Sequence, residues 1–144
     1  NTGLPQILGV QAAGSAPLVL GHPVEKPETV ATAIRIGRPA RGEQALQAAE
    51  ESNGRIIAVS DDAILSMQRR LAKEGVWVEP ASAAGIAGLA AQLQSGELDM
   101  TGKRIVVICT GHGLKDPDII VKQFHQPTVL PPQLQALEDI ILDQ

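Results

Sequence analysis

The sequence predicts an α/β fold: a three-layer sandwich with a mostly parallel sheet. Two observations predict it. Strand-like and helix-like segments alternate in the order β-α-α-β-α-β-α-β-α. The strand candidates are apolar throughout rather than alternating, the pattern of strands covered on both faces by helices. No internal repeat or low-complexity tract competes with this reading.

The first strand is expected near Ile7–Val10, an apolar run bounded by Pro5 and Gly14. No helix or strand stands before it to cover its faces, as expected either of a domain that begins with a central strand or of a piece of something larger. Glu28 to Ile36 is compatible with a helix, with Val30, Ala33 and Ile34 on one side, until Pro39 ends it. Glu43 to Ser52 consists of strong helix formers and stops at Asn53-Gly54. Arg55–Val59 reads as a strand. Ser60 then reads as a helix N-cap, with Asp61 and Asp62 in the first turn, where the helix dipole favours negative charge. That helix should turn Ile64, Leu65, Met67, Leu71 and Ala72 inward and end at Gly75. A short strand is expected at Val76–Val78, an Ala- and Gly-rich helix at Pro80–Gln94, and the strongest strand of all at Lys103–Cys109. Asp118–Phe124 and Pro131–Asp143 should be helical, joined by a proline-containing connector from Gln126 to Pro132.

At 144 residues and 15.1 kDa the chain fits one domain with a useful core. Hydrophobic residues at 44% are too many for a disordered chain, and charged residues at 19% too many for a membrane protein. The longest apolar runs, such as Ile105–Cys109, fall far short of the roughly 20 residues that span a bilayer. A net charge of −4 without a basic cluster argues against binding a nucleic-acid backbone. Trp77 and Phe124 are the only aromatic residues, too few for a base-stacking platform. The single cysteine, Cys109, forms no internal disulfide and fits a reducing cytoplasm; on its apolar strand it should be buried.

Three places can carry chemistry. The apolar run Ile105–Cys109 leads into Thr110-Gly111-His112-Gly113, and in open α/β sheets ligands sit beyond the carboxyl ends of strands. Small residues there let backbone approach a ligand, and the Thr110 hydroxyl can donate and accept; a glycine turn without a ligand is the plainer alternative. Glu79-Pro-Ala-Ser-Ala-Ala-Gly85 opens a helix: Glu79 suits its dipole, Ser82 can cap or face a ligand, and the small residues suit close packing. Arg35 and Arg38 flank a glycine and either bind an anion or lie on the surface. His22, His112 and His125 lack metal-site spacing, and no serine sits in a nucleophile elbow, so neither a metal centre nor a hydrolase triad is expected.

Several of these segments together resemble threonine synthase, a pyridoxal-phosphate enzyme family of the tryptophan-synthase-β fold type (fold type II). They are Gly9-Val-Gln-Ala-Ala-Gly14 with Ala16-Pro-Leu18, Thr32-Ala-Ile-Arg-Ile-Gly37 with Pro39, Glu79-Pro-Ala-Ser-Ala-Ala84, and Thr110-Gly-His-Gly-Leu-Lys-Asp-Pro117. They stand in family order across nearly the whole chain. Glu79–Ala84 alone would also suit threonine dehydratases; the combination with the other two motifs is more specific.

The resemblance implies conversion of O-phospho-L-homoserine and water into L-threonine and phosphate, with pyridoxal phosphate as the electron sink. It places Thr110 at the pyridine nitrogen of the cofactor. It also implies that the Schiff-base lysine, an asparagine near the cofactor's 3′ oxygen and the glycine/asparagine-rich phosphate loop lie upstream of the matched segments. Lys26, Lys73, Lys103, Lys115 and Lys122 do not stand in the catalytic lysine's motif. The expectation is therefore one partial domain, residues 1–144, from the C-terminal part of the large domain. Alone it should be inactive, hold the cofactor without specificity, and self-associate as a dimer. A different amino-acid lyase of the same fold type and an independent interaction module are the alternatives.

Overall fold

The computed structural model describes residues 3–123 and 128–142. Phe124, His125, the first two residues of the proline-containing connector (Gln126 and Pro127) and Asp143 lie outside the described residues. Two strands pair, β1 (Leu8–Ala12) and β2 (Arg55–Val59), parallel and in register from Leu8 opposite Arg55 to Ala12 opposite Val59. Between them run α1 (Pro17–Leu20), a 3-10 turn at Thr32–Ile34 and α2 (Gly42–Glu51). α3 (Asp61–Lys73) and α4 (Pro80–Gln94) follow, then a 3-10 turn at Gly113–Lys115, α5 (Pro117–Gln123) and α6 (Leu134–Leu142). This is the expected α/β class with parallel pairing. No described helix is long and apolar enough to cross a membrane.

The core is made largely of alanine: Ala12, Ala31, Ala83, Ala84 and Ala87 are buried with Val59, Ile64 and Val78. Such small side chains let α4 approach the sheet closely. A Cβ at Gly88 would meet Val10 Cγ2 at 2.5 Å and Ile57 Cδ1 at 3.2 Å, so only glycine allows this approach without a shift. α3 begins as expected, with the Ser60 hydroxyl accepting from the Ala63 amide at 3.2 Å. It buries Ile64 and also Gln68, whose amide donates to the Val78 carbonyl at 2.9 Å.

Three expected elements are corrected. Glu28–Ile36 is not a helix but holds the single 3-10 turn at Thr32–Ile34. Side chains claim its backbone instead: Asp61 accepts from the Thr29 hydroxyl and the Val30 amide, the Thr29 hydroxyl accepts from the Ala31 amide, and the Ser15 hydroxyl from the Ile36 amide. Val76–Val78 makes no parallel ladder; Val78 forms an isolated antiparallel bridge with His112. Lys103–Cys109, expected as the strongest strand, is assigned to no sheet among the described residues. It still alternates: Ile105 and Val107 are 45% and 36% exposed, whereas Val106 and Ile108 are 82% and 78% exposed. Val107 turns toward α4, 3.5 Å from a Cβ at Gly85. Cys109, on the same alternation as Ile105 and Val107, is exposed rather than buried, in a segment that pairs with no strand among the described residues.

Candidate functional site

The Thr110 turn is built by an antiparallel exchange with the residues that lead into α4. The Glu79 amide donates to the Gly111 carbonyl at 3.0 Å, and the Gly113 amide donates to the Trp77 carbonyl at 3.3 Å. The Gly111 amide donates to the Ser82 hydroxyl at 3.0 Å. Both polar groups of Gly111 are thereby engaged at the start of α4, and Thr110, the residue before it, stands exposed. Ser82 is 3% exposed, and its hydroxyl grips the turn.

Glycine is required at both positions for lack of room. A Cβ at Gly111 would overlap the Glu79 carboxylate, and one at Gly113 would overlap the Trp77 indole. His112 accepts the Leu114 amide on Nδ1 at 3.2 Å, which assigns its ring proton to Nε2. The next two residues reach outward to different parts of the chain. Lys115 pairs with Glu79 across 3.3 Å, and Asp116 accepts from the Thr32 hydroxyl at 2.8 and 2.9 Å.

Sequence reasoning singled out the Thr110 turn and the Glu79–Gly85 segment separately, and the structure brings the two together. What it missed is the burial of Glu79, which is 0% exposed with no hydrogen bond to either carboxylate oxygen among the described residues. The 3.3 Å approach of Lys115 is an ion pair without hydrogen-bond geometry. Of the two arginines, Arg38 pairs with Glu25 on the surface, while Arg35 lines a depression with Thr32, Asp61 and Asp116. No group of three metal-ligating side chains occurs among the described residues.

A family of pyridoxal-phosphate dependent enzymes matches residues 1–111. The chain belongs to the pyridoxal-phosphate dependent enzyme family. Within this family it is 50% identical over 143 residues to threonine synthase of Halalkalibacterium halodurans, covering 98% of this chain and 40% of that protein. It is 53% identical over 129 residues to threonine synthase of Mycobacterium tuberculosis, 89% of this chain and 35% of the other. The archaeal threonine synthase of Methanocaldococcus jannaschii is 44% identical over 147 residues, covering 96% and 36%. The chain thus spans about two-fifths or less of the length of these relatives. Among solved structures, threonine synthase from Escherichia coli aligns with a TM-score of 0.64 at 16% identity, covering 97% of this chain and 38% of that one; this shows a shared fold.

The donor set of the Thr110 turn suits one edge of the family's cofactor. An exposed hydroxyl that can donate or accept fits a pyridine nitrogen, and the two glycines beside it keep the turn thin. The sequence holds no glycine/asparagine-rich loop that would grip a phosphate, and Lys115 is already paired with Glu79.

Proposed function

We propose that this chain is the C-terminal part of a threonine synthase, which converts O-phospho-L-homoserine and water into L-threonine and phosphate. One observation carries the reading. Three of the four segments that resemble this family lie far apart in sequence, yet they meet at one turn. Thr32 holds Asp116, Ser82 holds Gly111, and Glu79 pairs with Lys115, all around Thr110. Identity of about half to threonine synthases along nearly the whole chain supports the substrate class.

In the whole enzyme, pyridoxal phosphate supplies the electron sink. Thr110 is the residue of this chain that contacts it, its hydroxyl meeting the pyridine nitrogen. A neutral hydroxyl, unlike a carboxylate, does not hold that nitrogen protonated, which tempers the sink and suits elimination at Cγ without drift into transamination. Gly111 and Ser82 fix the peptide on which Thr110 stands. Residues 1–144 form one partial domain of the cofactor-binding large domain, and the lysine and phosphate loop belong upstream. The exposed free thiol of Cys109 fits a reducing, cytoplasmic compartment.

The chain alone is therefore expected to make no threonine, and borohydride treatment with pyridoxal phosphate should label no single lysine stoichiometrically. The positive test replaces the matched segment of the Mycobacterium tuberculosis relative by this chain. Threonine and phosphate released in equal amounts support the reading. A chimera that folds and binds pyridoxal phosphate but turns over no O-phospho-L-homoserine contradicts it.

A further inference from the structure

Glu79 carries a carboxylate that is fully buried, with neither oxygen in a hydrogen bond among the described residues. Burial strips water from a charge and is unfavourable unless something replaces that water. Helix capping does not explain the residue, since its side chain makes no cap hydrogen bond to α4. Two neighbours explain it, and both come from one turn. Gly111 brings its Cα so close that a Cβ would overlap the carboxylate, while Lys115 sets its ammonium 3.3 Å from Oε2. Lys115 is 59% exposed, so its charge caps the buried carboxylate from the solvent side. The turn closes over Glu79, with glycine beneath and lysine above.

We propose that Glu79 is a positioning residue: its buried carboxylate, held between Gly111 and Lys115, is the counter-charge that seats the 111–115 turn and so fixes where Thr110 stands. The functional consequence rests on the reading of Thr110 as the cofactor contact. The seat itself rests only on the contacts above. A charge pair closed on one side by a half-exposed lysine is also the place where this turn opens first.

The chain carries its own reporter. Trp77 is its only tryptophan, its carbonyl accepts from the Gly113 amide, and its indole fills the space that a side chain at position 113 would need. The experiment measures Trp77 emission and amide hydrogen exchange in the 144-residue chain and in Lys115→Ala, Lys115→Arg, Glu79→Gln and the double variant Glu79→Gln with Lys115→Ala. Lys115→Ala leaves a buried carboxylate without its counter-charge, so far-UV circular dichroism first establishes that it folds, and Glu79→Gln, which buries no charge, reads the same seat if it does not. Lys115→Ala should speed exchange at Gly111, His112 and Gly113 by about tenfold and shift Trp77 emission to the red, leaving β1, β2 and α3 unchanged. Lys115→Arg should restore both signals. Glu79→Gln should reproduce the effect, and the double variant should add nothing to either single one, as coupled partners require.

Unchanged exchange in Lys115→Ala, acceleration spread evenly over the chain, or additive effects in the double variant would overturn the proposal. Thr110→Val separates the two readings because it removes no atom of the seat. If it leaves pyridoxal-phosphate affinity of the chimera intact, the reading of Thr110 fails and the seat stands. If Lys115→Ala leaves exchange intact, the seat fails whatever Thr110 does.

Discussion

The Thr32 hydroxyl reaches both carboxylate oxygens of Asp116, at 2.8 and 2.9 Å, across 84 positions of sequence. Lys115, the preceding residue, points to Glu79 instead, so two adjacent side chains fasten one turn to two separate parts of the fold. Thr32 itself sits in a segment that Asp61 anchors to the start of α3 through the Thr29 hydroxyl and the Val30 amide. The turn is thus tied to the starts of α3 and α4 at once.

Thr32→Val keeps the shape of the side chain and removes the donor. It should cost about 0.5–1.5 kcal/mol, toward the lower end because water reaches the pair. Thr32→Ser should cost less, since the hydroxyl survives. Urea titration checks this, with the midpoint falling at constant slope; equal stability of the valine variant would show that the bond contributes nothing.

Two glycines on α4 should respond in opposite directions to alanine. At Gly88 the new methyl would stand 2.5 Å from Val10 Cγ2 and 3.0 Å from its Cγ1, and the paired strands behind cannot yield cheaply. Gly88→Ala is expected to destabilise by about 1–3 kcal/mol through overpacking. At Gly85 the nearest atom is Val107 Cγ1 at 3.5 Å, an ordinary contact. Gly85→Ala should stabilise by up to about 1 kcal/mol through helix propensity. Thermal unfolding of both variants decides the matter, and a matching sign at the two sites would contradict the packing described.

Val106 and Ile108 present an apolar row on an extended segment whose backbone pairs with no strand among the described residues. Such a row favours association with another chain. The isolated chain should therefore grow in mass with concentration in light scattering, and Val106→Lys should shift it toward monomer. A cooperative monomer at high micromolar concentration would favour an independent module instead.

Asp99 offers a local pH dependence with a definite sign. Its carboxylate accepts from the Thr101 amide at 2.9 Å and the Thr101 hydroxyl at 2.7 Å, and these bonds, the backbone one foremost, lower its pKa below 3.8. A depressed carboxyl pKa means that the folded turn binds fewer protons than the unfolded chain. Its stabilising contribution is present above the unfolded value and is lost as pH falls through the lower, folded value. The Thr101 amide shift in NMR should follow that titration and stop following it in Asp99→Asn; titration of Asp99 above its ordinary value would reverse the sign.

Much of this is legible from local signals. Ser60 caps α3, Asn53-Gly54 lies just past the end of α2, and the alanines and glycines of α4 announce close packing against the sheet. What local signals miss is non-local. Lys103–Cys109 has the composition of a central strand, but a strand exists only with a hydrogen-bonded neighbour, and composition does not supply one. Glu28–Ile36 has helical spacing, but Ser15, Thr29 and Asp61 compete for its backbone. At the candidate site, the tight turn that carries Thr110 is legible from its glycines, which have no room for a side chain. The burial of Glu79 is not, because the glycine that makes room for it and the lysine that balances it lie more than thirty positions away.

The measurement that tests the central claim most directly is threonine formation by the Mycobacterium tuberculosis chimera. The parent segment is compared with its Thr110→Ser, Thr110→Val and Thr110→Asp variants, each loaded with pyridoxal phosphate. The account predicts that Thr110→Ser stays within a few-fold of the parent because a hydroxyl remains. Thr110→Val should lose about tenfold to a hundredfold, the effect of one removed hydrogen bond to a reacting system. Thr110→Asp should lower threonine formation more than it lowers cofactor affinity and divert turnover toward transamination. Full activity of Thr110→Val would contradict the account, because the residue proposed to face the cofactor would then have no part in the chemistry.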